Sequence, residues 1–229
     1  MGLSKNTLAD YRTFGFVLKR TNYGEADRII NIITPKGKLS AVAKGARKNK
    51  SKLAGGIELF SLIDFNIHAG KSDLALVTGA KMIEFYGEVL KDFDRMELAG
   101  KILKTINRIS DSTDNPAFYD ITKQCFEALN DKINTCLVDG WFYLNVRKAV
   151  GEELNFYRDN NGVRLNESGR YVWDSLNEEF VEKLNGEYGA NEIKLLRAMS
   201  TMKLRMVARI RLDDDVLRKV MNFIRIVRN

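Results

Sequence analysis

Five cations fall within nine residues of this 229-residue chain: Lys44, Arg47, Lys48, Lys50 and Lys52. No acid interrupts them, and Gly45 and Gly55 favour a loop. A loop of this kind can follow a phosphate backbone, because each neutralised phosphate releases condensed counterions. The plain alternative is a solvated, lysine-rich loop. Further cations, Lys19, Arg20, Arg28, Lys36 and Lys38, stand on predicted strands nearby. Phe14, Phe16 and Tyr23 are candidate platforms for stacked bases, the usual complement of a basic groove for single strands. Ordinary core packing is the competing reading for the two phenylalanines, whereas Tyr23 lies in a polar turn. A second run of cations, Lys194, Arg197, Lys203, Arg205, Arg209 and Arg211, alternates with Met199, Met202 and Met206. It reads either as a helix with a core stripe and snorkelling cations, or as a groove for an acidic peptide with a hydrophobic end.

Other chemistries find little support. Neither a phosphate-binding G-x-x-x-x-G-K-[ST] loop nor a G-x-G-x-x-G fingerprint occurs. The single histidine, His68, sits on an alternating strand with no evident nucleophile. Cys125 and Cys136 are eleven residues apart, with no second pair to complete a tetrahedral zinc site. They read as small apolar residues. No metal, cofactor or catalytic residue is expected, and the chain is not expected to be an enzyme. Charged residues break every apolar stretch short of the ~18–20 residues a membrane span needs. Two cysteines and no apolar leader fit a reduced, cytoplasmic protein.

The elements that must carry these side chains change character along the chain. Residues 1–80 hold 13 basic and 6 acidic side chains, and the remainder holds 24 of each, so the net charge of +7 belongs to the first third. That asymmetry points to a polyanion partner for one part of the chain. The same third shows alternating and β-branched runs that predict strands over 12–20, 27–34, 38–44, 59–69 and 73–86, the last interrupted at Gly79. Pro35-Lys36-Gly37 is a hairpin turn. Five short strands suit a small closed barrel, which leaves no exposed edges. Apolar residues then recur every three to four positions, predicting helices over 88–110, from 116, over 135–154, from Ser175 to 184, over 191–211 and from Asp213 onward. Residues 156–174 interrupt this pattern with turn residues and are compatible with a β-hairpin. The fold class is therefore α+β: a five-stranded barrel over 1–82, then an all-helical domain over 83–229 with a non-helical insertion.

Several segments together resemble the bacterial RecO family. They are Gly15-Phe-Val-Leu18, Tyr23-Gly-Glu-Ala-Asp-Arg28, Thr34-Pro-Lys-Gly-Lys38, Ala43-Lys-Gly-Ala-Arg47 and Ser51-Lys-Leu-Ala-Gly55. The resemblance covers residues 11–80 and is weaker beyond. It implies an N-terminal OB-fold barrel followed by helices. It also implies binding of single- and double-stranded DNA and annealing of complementary strands. RecO proteins cooperate with RecR to load recombinase onto DNA coated by single-strand binding protein, whose acidic C-terminal tail they bind. Such a protein is cytoplasmic and nucleoid-associated. Many members carry a four-cysteine zinc site, but the matching region here, 156–180, has no cysteine. No zinc is expected, and Phe156, Tyr171 and Trp173 are expected to pack a small apolar cluster in its place. The expected DNA contacts are Lys44, Arg47, Lys48, Lys50 and Lys52, then Lys19, Arg20, Arg28, Lys38 and Tyr23. Glu25 and Asp27 are expected to set the turn and a local ion pair. The tail is expected on Arg197, Lys203, Arg205, Arg209, Met202 and Met206. Two other classes stay open: an RNA-binding barrel protein of RNA or ribosome metabolism, and a peptide-binding helical adaptor.

Overall fold

The structure is a computed structural model that describes residues 9–51, 53–70, 74–211 and 213–228. Five strands form in the first third: β1 (Ala9–Tyr23), β2 (Asp27–Thr34), β3 (Gly37–Ala43), β4 (Ser61–Ala69) and β5 (Ala75–Phe85). They close into a barrel in the order β1-β2-β3-β5-β4. Closure requires one parallel pairing, Ala41↔Ala75 and Val42↔Leu76, and all other pairs are antiparallel. The long β1 serves both sheet halves: residues 9–16 pair with β4 and residues 16–23 with β2. Alternation then decides what lies inside. Val17, Ile30, Ile32, Ala41, Ala43, Ile63, Phe65, Ile67 and Val77 fill the interior, with Ile57 also in that core. The β2–β3 hairpin turns at Pro35-Lys36, and Gly37 takes φ +107°, a conformation that disfavours any side chain. The predicted interruption of the fifth strand is a register shift between Asn66 and Ile67 of β4, opposite Gly79 and Val77.

Helices α1 (Phe93–Ile109) and α2 (Ala117–Asn130) follow. The helix predicted from 88 does not run through. A 3-10 turn over Gly87–Lys91 ends at Asp92, whose side chain caps α1 by accepting the Arg95 amide at 3.0 Å. Phe16 points away from the barrel interior and packs with Tyr86, Tyr119 and Phe126. Lys38 donates to the Asn107 carbonyl at 2.7 Å, and Asn31 to the Asn107 side chain at 2.8 Å, which ties β2 and β3 to α1. Barrel and both helices thus form one compact unit, Met1–Asp131, and Lys132–Asn229 form the other. The domain boundary expected between residues 82 and 83 falls within β5, inside the first unit.

The second unit contains α3 (Thr135–Ala149), the hairpin β6 (Tyr171–Asp174) and β7 (Glu179–Glu182), α4 (Ala190–Thr201), the short α5 (Leu204–Val207) and α6 (Asp214–Arg228). Asn134 caps α3 by accepting the Cys136 and Leu137 amides. At Gly140, the absent side chain admits the methyl groups of Met199 and Met221. The helix predicted from Ser175 to 184 is instead the β6–β7 hairpin. Asp174 accepts the Leu176 and Asn177 amides, Glu178 takes φ +52°, and Trp173 opposes Phe180 across the strands. Ring packing decides this: Phe180 is fully buried against Phe156, Tyr171, Trp173, Tyr188 and Phe223. The expected cluster of Phe156, Tyr171 and Trp173 therefore exists, enlarged by three rings that sequence spacing does not single out. The helix predicted over 191–211 breaks at Met202, which is extended (φ −98°, ψ 155°).

Candidate nucleic-acid interface

The 44–51 loop is held to the barrel from below and turned outward above. Ala46 is 2% exposed and belongs to the barrel core, so the loop has an apolar foot. Its backbone docks on the β1–β2 turn. The Gly45 amide donates to Asp27 Oδ1 at 2.7 Å, and the Arg47 amide to the Ala26 carbonyl at 2.8 Å. Arg47 Nη1 reaches the Gly24 carbonyl at 3.2 Å. Gly45 adopts φ +64°, which lets the chain reverse there, and tight turns follow with Lys48 N–Gly45 O and Ser51 N–Lys48 O bonds of 3.0 Å. The partner of Asp27 is thus a backbone amide, where an ion pair is expected from sequence, and the effect is to fix the start of the basic loop.

Lys44, Arg47, Lys48 and Lys50 are all exposed, and none forms an ion pair among the described residues. Lys52 lies outside the described residues. Lys19, Thr21 and Tyr23 alternate on the outer face of β1 and are all exposed, Tyr23 at 54%. Tyr23 immediately precedes Gly24, whose carbonyl holds Arg47, so an aromatic ring and the basic loop share one end of the barrel. Of the two phenylalanines, Phe16 is core and Phe14 is 44% exposed, beside Asp64 on the β4 side.

The remaining barrel cations are placed differently. Arg20 opposes Ile30, an interior position, and pairs with Glu58 at 2.8 Å. Arg28 lies opposite Asn22 and Ala43, half-buried, and its Nε has no hydrogen-bond partner among the described residues. Lys38 is 10% exposed in its side chain and paired with Asp111, so it fastens α1 to the barrel and offers no charge to a ligand. Its alternating position in β3 gives no hint of this, because α1 comes from about seventy residues away. Asp64 accepts a fork of bonds from Arg12, including Nε at 2.6 Å. These bonds hold its carboxyl below the usual carboxylate range.

In the second unit the predicted peptide stripe does not assemble. Met199 is fully buried, Met202 is extended with its carbonyl accepting from Trp141 Nε1, and Met206 is 52% exposed on α5. Arg197 donates to the carbonyls of Phe156 (2.8 Å) and Leu165 (3.4 Å) and lies over the Tyr157 ring. Lys203, Arg205 and Arg209 are exposed beyond the helix break. A pocket of about 290 Å³ lies nearby instead. Leu195, Ile210 and Val216 form its apolar lining, and Asn191, Lys194, Arg211 and Asp213 its polar lining. Lys194 and Arg211 are visible in the basic run of the sequence, but Ile210 and Val216 need the fold to bring α6 beside α4. Among the described residues no group of His, Cys, Asp and Glu could hold a metal ion, and no helix is long and apolar enough to cross a membrane.

Comparison with known proteins agrees with this geometry. Residues 8–86 match the family model for the recombination protein O N-terminal domain. The DNA repair protein RecO of Acetivibrio thermocellus is 39% identical over 99 residues, covering 43% of this chain and 39% of that protein. The DNA repair protein RecO of Roseiflexus sp. is 30% identical over 148 residues, covering 64% and 52% respectively. That of Thermobifida fusca is 38% identical over 109 residues, covering 47% and 44%. The matches therefore span about half the length of these relatives. The five-stranded barrel is an OB fold, and the residues that form it, 8–86, are similar to the N-terminal domain of the RecO family.

Proposed function

We propose that this chain is a non-enzymatic DNA-binding protein of recombinational repair that binds single strands and anneals complementary ones. The observation that carries the reading is the exposed set Lys44, Arg47, Lys48 and Lys50, without ion pairs among the described residues, on a loop fixed to an OB barrel by Asp27 and Ala46. Lys19 and Tyr23 extend that surface along β1. Phosphate contacts carry no base information, so binding is sequence-tolerant. Two strands held on one cationic surface repel each other less, and pairing is downhill without nucleotide hydrolysis. Double-stranded DNA binds the same surface through the same phosphate contacts.

The protein acts in the cytoplasm at the nucleoid, together with RecR, to help load recombinase onto DNA coated by single-strand binding protein. The acidic C-terminal tail of that protein docks in the Leu195–Ile210–Val216 pocket. Its hydrophobic end enters the apolar lining, and a carboxylate meets Arg211. This position replaces the stripe on Arg197, Met202 and Met206.

A fluorescence-quenching assay with complementary oligonucleotides tests the reading. The native protein should accelerate pairing, and Lys44→Glu/Arg47→Glu/Lys48→Glu should not. Binding of RNA and DNA strands with equal affinity and no acceleration of pairing would favour the RNA-binding alternative instead.

A further inference from the structure

The helical unit contains a second arrangement suited to phosphate, in the turn that precedes β6. Arg158 and Arg164 face each other as an antiparallel pair, so their side chains leave the same face. Two like charges directly opposite are unfavourable unless something anionic sits between them. Neither arginine has an ion pair among the described residues, and both are exposed. Arg158 Nη1 donates to the Gly162 carbonyl at 2.6 Å, and Arg164 makes no side-chain hydrogen bond among the described residues.

The turn between them is rigidly built. Asp159 is buried, and its Oδ1 accepts the amides of Asn161 and Val163, both at 2.9 Å. The Asn160 amide anchors to the Phe180 carbonyl at 2.9 Å, inside the aromatic cluster. The one acid in the turn is thus consumed by backbone amides and does not offset the arginines. Tyr157 stays 46% exposed beside them, with Arg197 stacked on its ring. A turn already fixed in shape loses little freedom on binding, and guanidinium groups match phosphate oxygens with paired hydrogen bonds.

We infer that Arg158 and Arg164 form a phosphodiester-binding clamp, a second site for a nucleic-acid backbone that is separate from the barrel loop. The inference rests on the reading of the chain as a DNA-binding protein. It assigns that role to residues outside the part that matches the family model.

The test is a salt titration of full-length protein binding to a fluorescent single-stranded oligonucleotide. Arg164→Glu is the principal variant, because its side chain holds no other part of the described structure. Affinity at low salt should fall roughly 5- to 20-fold, and the log–log salt slope should shrink by about 0.7, the share of one phosphate on a single strand. Arg164→Lys keeps the charge and should keep the slope. Arg158→Ala should act in the same direction, and circular dichroism confirms that each variant is folded. Lys44→Glu/Arg47→Glu/Lys48→Glu is measured in parallel. If that variant loses affinity while Arg164→Glu stays within about two-fold of the native protein at the same slope, the clamp is overturned and the barrel reading stands. If the native protein itself fails to bind, both fall.

Discussion

In the barrel unit the cations of residues 44–50 face water and form no ion pair among the described residues, whereas many cations of the helical unit are matched. Arg147 makes a fork with Glu178 (2.9 and 2.8 Å), Lys148 pairs with Glu153, Lys194 with Glu167, Lys219 with Asp215, and Arg228 with Asp139. Arg197 is held by backbone carbonyls. Part of the balance of acids and bases after residue 80 thus takes the form of local ion pairs. Much of the excess before residue 80 lies on a loop whose cations form no ion pair among the described residues. Cations that hold a fold and cations that await a ligand look alike in composition and differ in their partners. Arg158 and Arg164 matter for the same reason: they are helical-unit cations treated as the barrel loop treats its own.

The largest test of this contrast is charge reversal in the loop. Lys44→Glu/Arg47→Glu/Lys48→Glu should lower single-strand affinity by about 100-fold at low salt without moving the urea midpoint, since these side chains are exposed. A smaller effect is expected when the loop is loosened but its charges are kept. Asp27→Ala removes a carboxylate–amide bond of a type worth about 1.5–3 kcal/mol. It should reduce affinity several-fold by mobilising Gly45 and Arg47, and hydrogen exchange of the Gly45 amide should rise.

Lys38→Met sharpens the contrast within the barrel itself. It should reduce stability by about 1–2 kcal/mol, by denaturant unfolding, and leave affinity for DNA within experimental error. A loss of affinity equal to that of a loop lysine would show that the Asp111 pair does not sequester this charge. The smallest effect concerns Glu178, whose carboxyl is held below its usual value by hydrogen bonds from Arg147. Its folded value is depressed, so its contribution is present above the unfolded value of about 4.3. That contribution is lost as pH falls through the folded value. Glu178→Gln should cost no more than about 1 kcal/mol at neutral pH, because the Glu178 side chain is 46% exposed, and should flatten the acid side of the stability profile. DNA affinity should not change.

The barrel is largely legible from sequence because alternation over 27–34 and 59–69 reports directly on a half-buried sheet. The basic loop is legible because five cations without an acid need no tertiary information to be seen. Its foot is less so. Ala46 looks like one more loop residue, and only closure of the barrel makes it core. The helical unit resists for a related reason. Ser175 and Glu178 have the spacing of a capping box, yet the apolar demand of Phe180 for five other rings outweighs that local signal. Met199, Met202 and Met206 keep helical spacing across a break that places them in three environments. Lys38 and Arg20 read as DNA contacts in the sequence because their partners, Asp111 and Glu58, lie 73 and 38 residues away.

The central claim is that phosphate binds the 44–50 loop, and the salt dependence of single-strand binding tests it most directly. The native protein and Lys44→Glu/Arg47→Glu/Lys48→Glu are titrated with the same labelled oligonucleotide across a range of salt concentrations. With three fewer phosphates neutralised, the log–log slope should shrink by about 2. An unchanged slope with unchanged affinity would contradict the account.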